Sequence, residues 1–273
     1  MTSTKALIRD CLPPLAIRWL QQLRSGGIRF AGNYQNWGEA SQHTTGYDTD
    51  VILSRVLDAT LKVKRGEAAY ERDSVVFDQI EYAWPVLSGL MWAAARNQGR
   101  LNVLDFGGAL GSTYFQHRRF LEGIADVRWN VVEQAHYVER GNALIAEGPL
   151  RFYSDIAACL AEQEPNVVLL SGVLQFLPDP WGMLDKLGRV GAAVMLIGRT
   201  PLARLPENQL LVQHVPALIY PASYPMWVFS DSQLLAHLAP RWRMVSRYTG
   251  PEGQVRSREG LSFKFEGWLL EAC

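Results

Sequence analysis

Asp105-Phe106-Gly107-Gly108-Ala109-Leu110-Gly111 is a stretch whose residue types and spacing suit ligand chemistry. An acid precedes two adjacent glycines, and a third glycine follows. Gly107 and Gly108 permit backbone conformations closed to other residues and let a ligand approach the main chain. Gly111 stands before a helical pattern, whose first free N–H groups attract a carboxylate or phosphate. Trp129-Asn130-Val131-Val132-Glu133 supplies a second acid, 28 residues after Asp105. A carboxylate that ends a second strand can accept hydrogen bonds from both hydroxyls of a ribose. A dinucleotide turn prefers G-x-G-x-x-G entered by an apolar run. Here an acid precedes the turn, and it suits a cationic group better than a pyrophosphate, because like charges repel.

S-adenosylmethionine meets these demands with a sulfonium, a zwitterionic tail and a ribose. The expected cofactor-binding residues are Asp105, Gly107, Gly108, Gly111 and Glu133. Asp155, in Tyr153-Ser154-Asp155, is placed either to reach the adenine amine or to cap the next helix. Ser171 and Gly172 end a fourth strand where a crevice should open, and Gln175 can project a neutral amide toward the ligand. No acid follows that strand, so no carboxylate base comes from it.

Displacement at a sulfonium relies largely on positioning, but a hydroxyl acceptor also calls for a base. Two candidate catalytic residues stand out. His214 titrates near neutral pH and sits in a proline-rich segment. Asp73, in Tyr70-Glu71-Arg72-Asp73-Ser74, is either a base or, like Ser74, the cap of a following helix. Candidate substrate contacts are Tyr34 and Trp37, from an aromatic and amide-rich loop over Phe30–Ala40 that either walls a pocket or plugs the N-terminal part. Tyr224 is a third and Arg199 a fourth, the latter either binding an anionic substrate group or standing as a solvated loop arginine. No metal site is expected: Cys11, Cys159 and Cys273 show no CxxC spacing and fit a reducing compartment.

The elements that must position these residues are legible in outline. From Leu101 onward, candidate strands at Leu101–Asp105, Arg128–Glu133, Leu150–Tyr153, Asn166–Ser171 and Ala192–Gly198 alternate with helices near 111–122, 135–146, 155–163 and 180–189. Such alternation implies a parallel sheet covered on both faces. Residues 199–229 hold five prolines and several aromatics and read as a lid or pocket wall. A helix near 231–238 follows, and then an antiparallel hairpin of Trp242–Tyr248 and Leu261–Leu270. Residues 1–100 read as mostly helical. Residues 6–24 form a basic, broken amphipathic helix that covers the core, with contact to a membrane surface as the less favoured alternative. Asp48 caps a helix over 49–64 with Val51, Ile52, Val56, Leu57 and Leu61 on one face. A second helix, begun by Pro85, turns Leu87, Leu90, Met91 and Ala94 inward.

Taken together, residues 101–272 resemble the class I S-adenosylmethionine-dependent methyltransferases. Gly32-Asn33-Tyr34 with Trp37 and Ala40, Tyr70–Ser74, Asp105–Gly108 and Ser171–Gln175 are similar to a narrower family of bacterial methyltransferases associated with surface-polysaccharide (O-antigen) biosynthesis. The resemblance implies an α/β fold: a doubly wound, mostly parallel seven-stranded Rossmann-like sheet with a terminal antiparallel hairpin and a helical N-terminal extension. The pattern of elements divides the chain into a helical cap with substrate contacts over 1–100 and a cofactor domain over 101–273 with a lid insertion at 199–229. The resemblance implies a cofactor site at Asp105, Gly107, Gly108, Gly111 and Glu133 with Ser171 and Gly172 nearby, and the leading expectation beside it is methylation of a small-molecule or carbohydrate hydroxyl. The alternatives are an NAD-type oxidoreductase or epimerase on the same sheet, and a scaffold that keeps the crevice without chemistry.

Composition narrows the field. Twenty-seven basic and 27 acidic side chains give zero formal charge, which argues against nucleic acid as a partner. Hydrophobic residues make up 48% of the chain, ample for a sizeable core. No apolar run reaches the ~18 residues of a membrane span, and no signal-peptide pattern opens the sequence. A cytoplasmic location is expected.

Overall fold

Strands with no polar face must be covered on both sides, and the middle of this chain is built that way. A computed structural model describes residues 27–45, 49–216 and 222–273. In chain order the elements begin with β1 (Arg29–Tyr34), α1 (Trp37–Gln42), α2 (Thr49–Lys64), β2 (Tyr70–Arg72), β3 (Val75–Phe77) and α3 (Trp84–Arg96). Then come β4 (Arg100–Phe106), α4 (Ser112–Leu121), β5 (Asp126–Val132), α5 (Ala135–Arg140), β6 (Leu150–Tyr153), α6 (Ile156–Glu162) and β7 (Val167–Ser171). The chain closes with α7 (Pro180–Leu187), β8 (Val194–Ala203), β9 (Gln209–Val215), β10 (Ala222–Ser230), α8 (Asp231–Leu238), β11 (Trp242–Arg256) and β12 (Ser262–Ala272). The fold is α/β with a mostly parallel central sheet.

Strands β6-β5-β4-β7-β8 run parallel in that order, and β12 pairs antiparallel with β8 and with β11. Strand order reverses between β4 and β7. Such a switch point opens a crevice beyond the C-terminal ends of the strands. One face carries Val103, Val131, Leu169 and Leu196 under Ile52 and Val56 of α2, Leu90 of α3 and Phe115 of α4. The other face carries Leu104, Val168, Leu170 and Ile197 under Cys159 of α6, Leu184 of α7 and Leu234 of α8. The expected inward face of α2 holds for Ile52 and Val56, but Val51 is exposed. The helix expected over 135–146 is α5 continued by one π-helical turn, Gly141–Ile145.

Several expectations need correction. The described residues of 199–229, expected as a loop forming a lid or pocket wall, are largely strand. Residues 199–203 finish β8, and β9 and β10 form an antiparallel pair. Successive residues of β9 bury opposite ways: Leu210 and Val212 pack with Ala40, and Leu211 packs with Phe30, Met226 and Phe263. That alternation is a strand signal which the prolines obscured. Pro201 pairs only with Phe265 of β12, beyond the end of β7 pairing, and Pro225 pairs with Val212 of β9 where β10 has no second partner. Proline is tolerated at such one-sided positions. The Phe30–Ala40 segment, expected as a loop, is β1 followed by α1, and β1 pairs with β9. Among the described residues this three-stranded arm brings the main sheet to ten strands where seven were expected.

The helix expected after Asp73 and Ser74 is a hairpin instead, β2 against β3. The described part of residues 1–100, expected mostly helical, thus contains three strands beside its three helices. Asp48, Tyr220 and the helix expected over 6–24 lie outside the described residues. Among the described residues no helix is long and apolar enough to cross a membrane.

Candidate functional site

The glycine turn follows β4 directly. Gly107 has φ +71°, and its N–H donates to Val132 O of β5 at 3.0 Å. A Cβ on Gly107 would lie 2.4 Å from Val173 Cγ2, and one on Gly108 would lie 2.5 Å from the Asp105 carboxylate. No larger side chain fits at either place. Ala109 and Gly111 also have positive φ, +49° and +86°.

Asp105 is 1% exposed. Its Oδ2 accepts the indole N–H of Trp129 at 3.0 Å, and its Oδ1 has no hydrogen-bond partner in the protein. Burial pushes its carboxyl up to about 7; the Trp129 bond opposes this and the charge of Glu133 adds to it. Glu133 stands one residue beyond β5. Burial raises its carboxyl too, against the N–H groups of Gln134 and Ala109 that donate to it. Two carboxylates of neighbouring strands therefore hold the turn between them. A buried acceptor without a donor, beside a second acid, calls for a ligand that brings positive charge and hydrogens.

Across the switch point, Ser171 ends β7 opposite Gly198 of β8. Gly172 has φ +73°, and its N–H donates to Gly198 O at 2.9 Å. The next residue of β8, Arg199, has φ +53°, and a Cβ on Gly172 would lie 3.5 Å from its Nη1. Left-handed backbone at a non-glycine costs on the order of 1–3 kcal/mol and tends to cluster at functional sites.

The β2–β3 hairpin folds over this edge. Asp73 and Ser74 both have positive φ, +53° and +68°, as a tight two-residue hairpin turn requires. Glu71, 2% exposed, accepts the Ser112 hydroxyl at the start of α4 and the Ser74 N–H at 3.3 Å. Burial pushes its carboxyl up to about 7, although Ser112 favours the charged form. Asp73 accepts Arg199 Nη2 at 2.8 Å, while Arg199 Nε donates to Glu252 at 2.6 Å. Desolvation on pairing would raise the Asp73 carboxyl, but the Arg199 guanidinium beside it holds it below its ordinary value. Glu252 lies in β11 where the register with β12 shifts between Thr249 and Gln254. Such irregularities re-aim side chains.

The other expected residues fall into separate places. Asp155 is the N-cap of α6, accepting the Ala158 N–H at 2.8 Å. His214 lies on β9 opposite Arg29 and Ser223, away from the β4 and β7 edges. Burial, then the charge of Arg29, lowers its imidazole below the usual range. Tyr34 and Trp37 pack on the arm, Tyr34 against His43 (centroids 5.1 Å apart) and Trp37 stacked on Trp227 (6.2 Å). Tyr224 comes closer to the crevice edge: its ring meets Phe176, just after β7, edge-on at 5.0 Å. Glu71 is the residue that sequence reasoning passed over. It stood inside a noted polar cluster, but only the hairpin shows that it turns inward. A depression of about 550 Å³ bounded by Tyr114, Arg118, Val127, Glu147 and Pro149 lies at the opposite, N-terminal end of β5 and β6.

No family model and no curated protein matches the chain. Among solved structures, the chain is similar to the N-terminal domain of EvdMO1, crystallised in the presence of SAH and D-fucose. The identity is 15% over 83% of this chain and 98% of that one, with a TM-score of 0.43. It is similar also to SAM-bound CalS10, an amino pentose methyltransferase from Micromonospora echinaspora, at 9% identity over 69% and 90% of the two chains and a TM-score of 0.44. A third is magnesium protoporphyrin IX methyltransferase (ChlM) from Synechocystis with bound SAM, at 15% identity over 82% and 98% and a TM-score of 0.41. At such identities and TM-scores these likenesses carry no weight for function, which rests on the site itself.

Proposed function

We propose that this protein is an S-adenosylmethionine-dependent methyltransferase acting on a hydroxyl of a small-molecule or carbohydrate acceptor. One observation carries the proposal: Asp105 and Glu133 flank a turn whose glycines admit no Cβ, at the switch point of a parallel sheet. The unpartnered Asp105 Oδ1 and the glycine backbone of the turn suit a ligand that is cationic and approaches the main chain closely. A pyrophosphate would meet two carboxylates there and be repelled.

In this proposal Asp105, Gly107, Gly108 and Gly111 hold the amino-acid end of the cofactor, Glu133 the ribose hydroxyls, and Ser171 and Gly172 the opposite wall. Asp155 contributes through the start of α6 that it caps. The cofactor, when bound, supplies an electrophilic methyl group. The protein's part is to orient the acceptor and exclude water, which the hairpin accomplishes from above. The acceptor proton needs a base with affinity near neutral pH. Asp73 is held low by Arg199 and His214 is on the arm, which leaves the buried Glu71 as the better-placed group. Isothermal calorimetry with S-adenosylmethionine and S-adenosylhomocysteine tests the proposal. Binding of both is expected; no heat from either at millimolar ligand would overturn it.

A further inference from the structure

Around Arg199 two carboxylates share one guanidinium, and buried acceptors are left over. Its Nε and Nη2 go to Glu252 and Asp73, and its main-chain carbonyl accepts Gln175 Nε2 at 3.2 Å. A carbonyl oxygen can only accept, so the Gln175 amide must present its NH2 there. That orientation leaves Gln175 Oε1 on the other side. Gln175 is 2% exposed, and its Oε1 has no hydrogen-bond partner in the protein. Glu252 Oε2 is likewise buried without a donor. A buried acceptor left without a donor costs on the order of 1–3 kcal/mol, so this corner is incomplete as it stands.

The charge of the corner has a definite sign. Asp73 and Glu252 face a single guanidinium, and Glu71 lies within electrostatic reach of Arg199. Phe176, next in sequence to Gln175, and Tyr224 supply ring surface beside it. The Tyr224 hydroxyl accepts Gln213 Nε2 at 3.0 Å.

From this geometry we infer an acceptor subsite centred on Gln175, which takes a neutral or amine-bearing small molecule that donates a hydroxyl or ammonium hydrogen to Gln175 Oε1. Molecules carrying a carboxylate or phosphate at this point are disfavoured, because Asp73 and Glu252 outnumber the one guanidinium and the two buried oxygens without a donor, Gln175 Oε1 and Glu252 Oε2, repel a further anion. Of the two readings of Arg199 from the sequence, an anion-binding group or a solvated loop arginine, this inference sets the first aside. Calling the bound molecule the acceptor rests on the methyltransferase proposal; the donor preference of the subsite does not.

The test uses the full-length protein and four probes: glucosamine and methyl glucoside as donors, glucuronate and glucose 6-phosphate as anionic counterparts. Binding is followed by ligand-observed NMR and calorimetry, with and without S-adenosylhomocysteine. The donor probes should bind, and the anionic ones at least about tenfold more weakly, as one misplaced charge-assisted contact implies. Gln175→Met, checked for folding by circular dichroism, should weaken glucosamine about tenfold. Glu252→Gln should narrow the gap between glucosamine and glucuronate, which a purely structural role for Glu252 would not do. The inference is overturned if the anionic probes bind as well as the donors, if neither donor probe binds, or if Gln175→Met leaves glucosamine affinity unchanged. Donor binding without any binding of S-adenosylhomocysteine would instead overturn the methyltransferase proposal and leave the subsite standing.

Discussion

The two sides of the crevice are built on different principles. The β4–β5 side is assembled from consecutive strands, and its polar groups lie within 30 residues of one another: Asp105, the glycine turn, Trp129 and Glu133. The β7–β8 side is assembled across the chain. Arg199 ties Asp73, 126 positions away, to Glu252, 53 positions away, and Phe176 meets Tyr224 from the arm. The first side is deeply buried and local in sequence, and the proposed cofactor contacts lie there. The second is held by partly exposed ion pairs and a short hairpin, which is the kind of structure that opens locally.

The comparison breaks most visibly at Asp105. Asp105→Ala removes the buried carboxylate of the β4 end, one of whose oxygens has no donor in the protein. A lost charge-assisted contact of about 1.5–3 kcal/mol should weaken S-adenosylmethionine roughly tenfold to a hundredfold. Glu133→Ala should lose a similar amount, while Tyr34→Ala on the arm leaves cofactor affinity unchanged. Calorimetry of the three variants decides it; equal affinities throughout would remove the assigned cofactor side.

Glu71 sharpens the comparison next, because it belongs to the hairpin yet is as deeply buried as Asp105. Its folded-state carboxyl is raised to about 7 from an ordinary 4.5. A raised carboxyl contributes stability that is fully present below the unfolded value and is lost as pH rises through 7. The protein should therefore be less stable at pH 8 than at pH 5, with Glu71 accounting for roughly 3 kcal/mol of the difference at most. Asp105 acts in the same direction. Urea unfolding of Glu71→Gln should show a flatter pH dependence than the wild type, and parallel curves would contradict the raised carboxyl. If Glu71 also takes the acceptor proton, the variant loses turnover with little change in cofactor affinity.

The hairpin clasp should yield a smaller effect. The Arg199–Asp73 pair is partly exposed, with side chains 28% and 58% accessible, so its removal should cost no more than about 1 kcal/mol. Asp73→Asn should instead show itself as faster amide exchange in residues 70–77 with unchanged exchange in β4. Slow exchange in both regions of the variant would mean that the clasp does not hold the hairpin closed.

The same division explains what could be read from the chain alone. The strand–turn–helix units of the parallel half carry their information locally: apolar runs such as Val167–Leu170, glycines at the turns, and acids at the strand ends. Each was legible with boundaries within a few residues. The pairing of β1 with β9 and the burial of Glu71 were not legible, because they depend on contacts far along the chain, while the β2–β3 hairpin is local but short and turns on residues that also suit a cap. The prolines of 199–229 read as loop punctuation, although Pro201 and Pro225 sit where a strand has one neighbour. Asp73 and Ser74 read as a helix cap, since short polar residues serve caps and hairpin turns alike. Glu71 showed no sign of burial, because its partner Ser112 lies 41 residues away on a helix that local pattern could not bring to it.

Asp155 offers the finest discrimination, since it stands on the legible side yet had two incompatible roles there. As the N-cap of α6 it accepts the Ala158 N–H at 2.8 Å, and Ser154 Oγ approaches its other oxygen at 3.3 Å. Replacing a capping aspartate by alanine costs about 1 kcal/mol, and Asp155→Asn, which caps nearly as well, should recover most of it. If the cap is its whole role, cofactor affinity changes less than about twofold in both variants, because the start of α6 remains in place under native conditions. A direct contact to an adenine amine would instead depend on the acceptor oxygen. It would show as a roughly fivefold or greater loss of S-adenosylhomocysteine affinity in Asp155→Ala, with partial rescue in Asp155→Asn. Thermal melts and calorimetry on the same two variants separate the outcomes. Stability loss without affinity loss keeps the cofactor contacts at the β4 and β5 ends and the switch point, and affinity loss beyond the stability change extends them to β6.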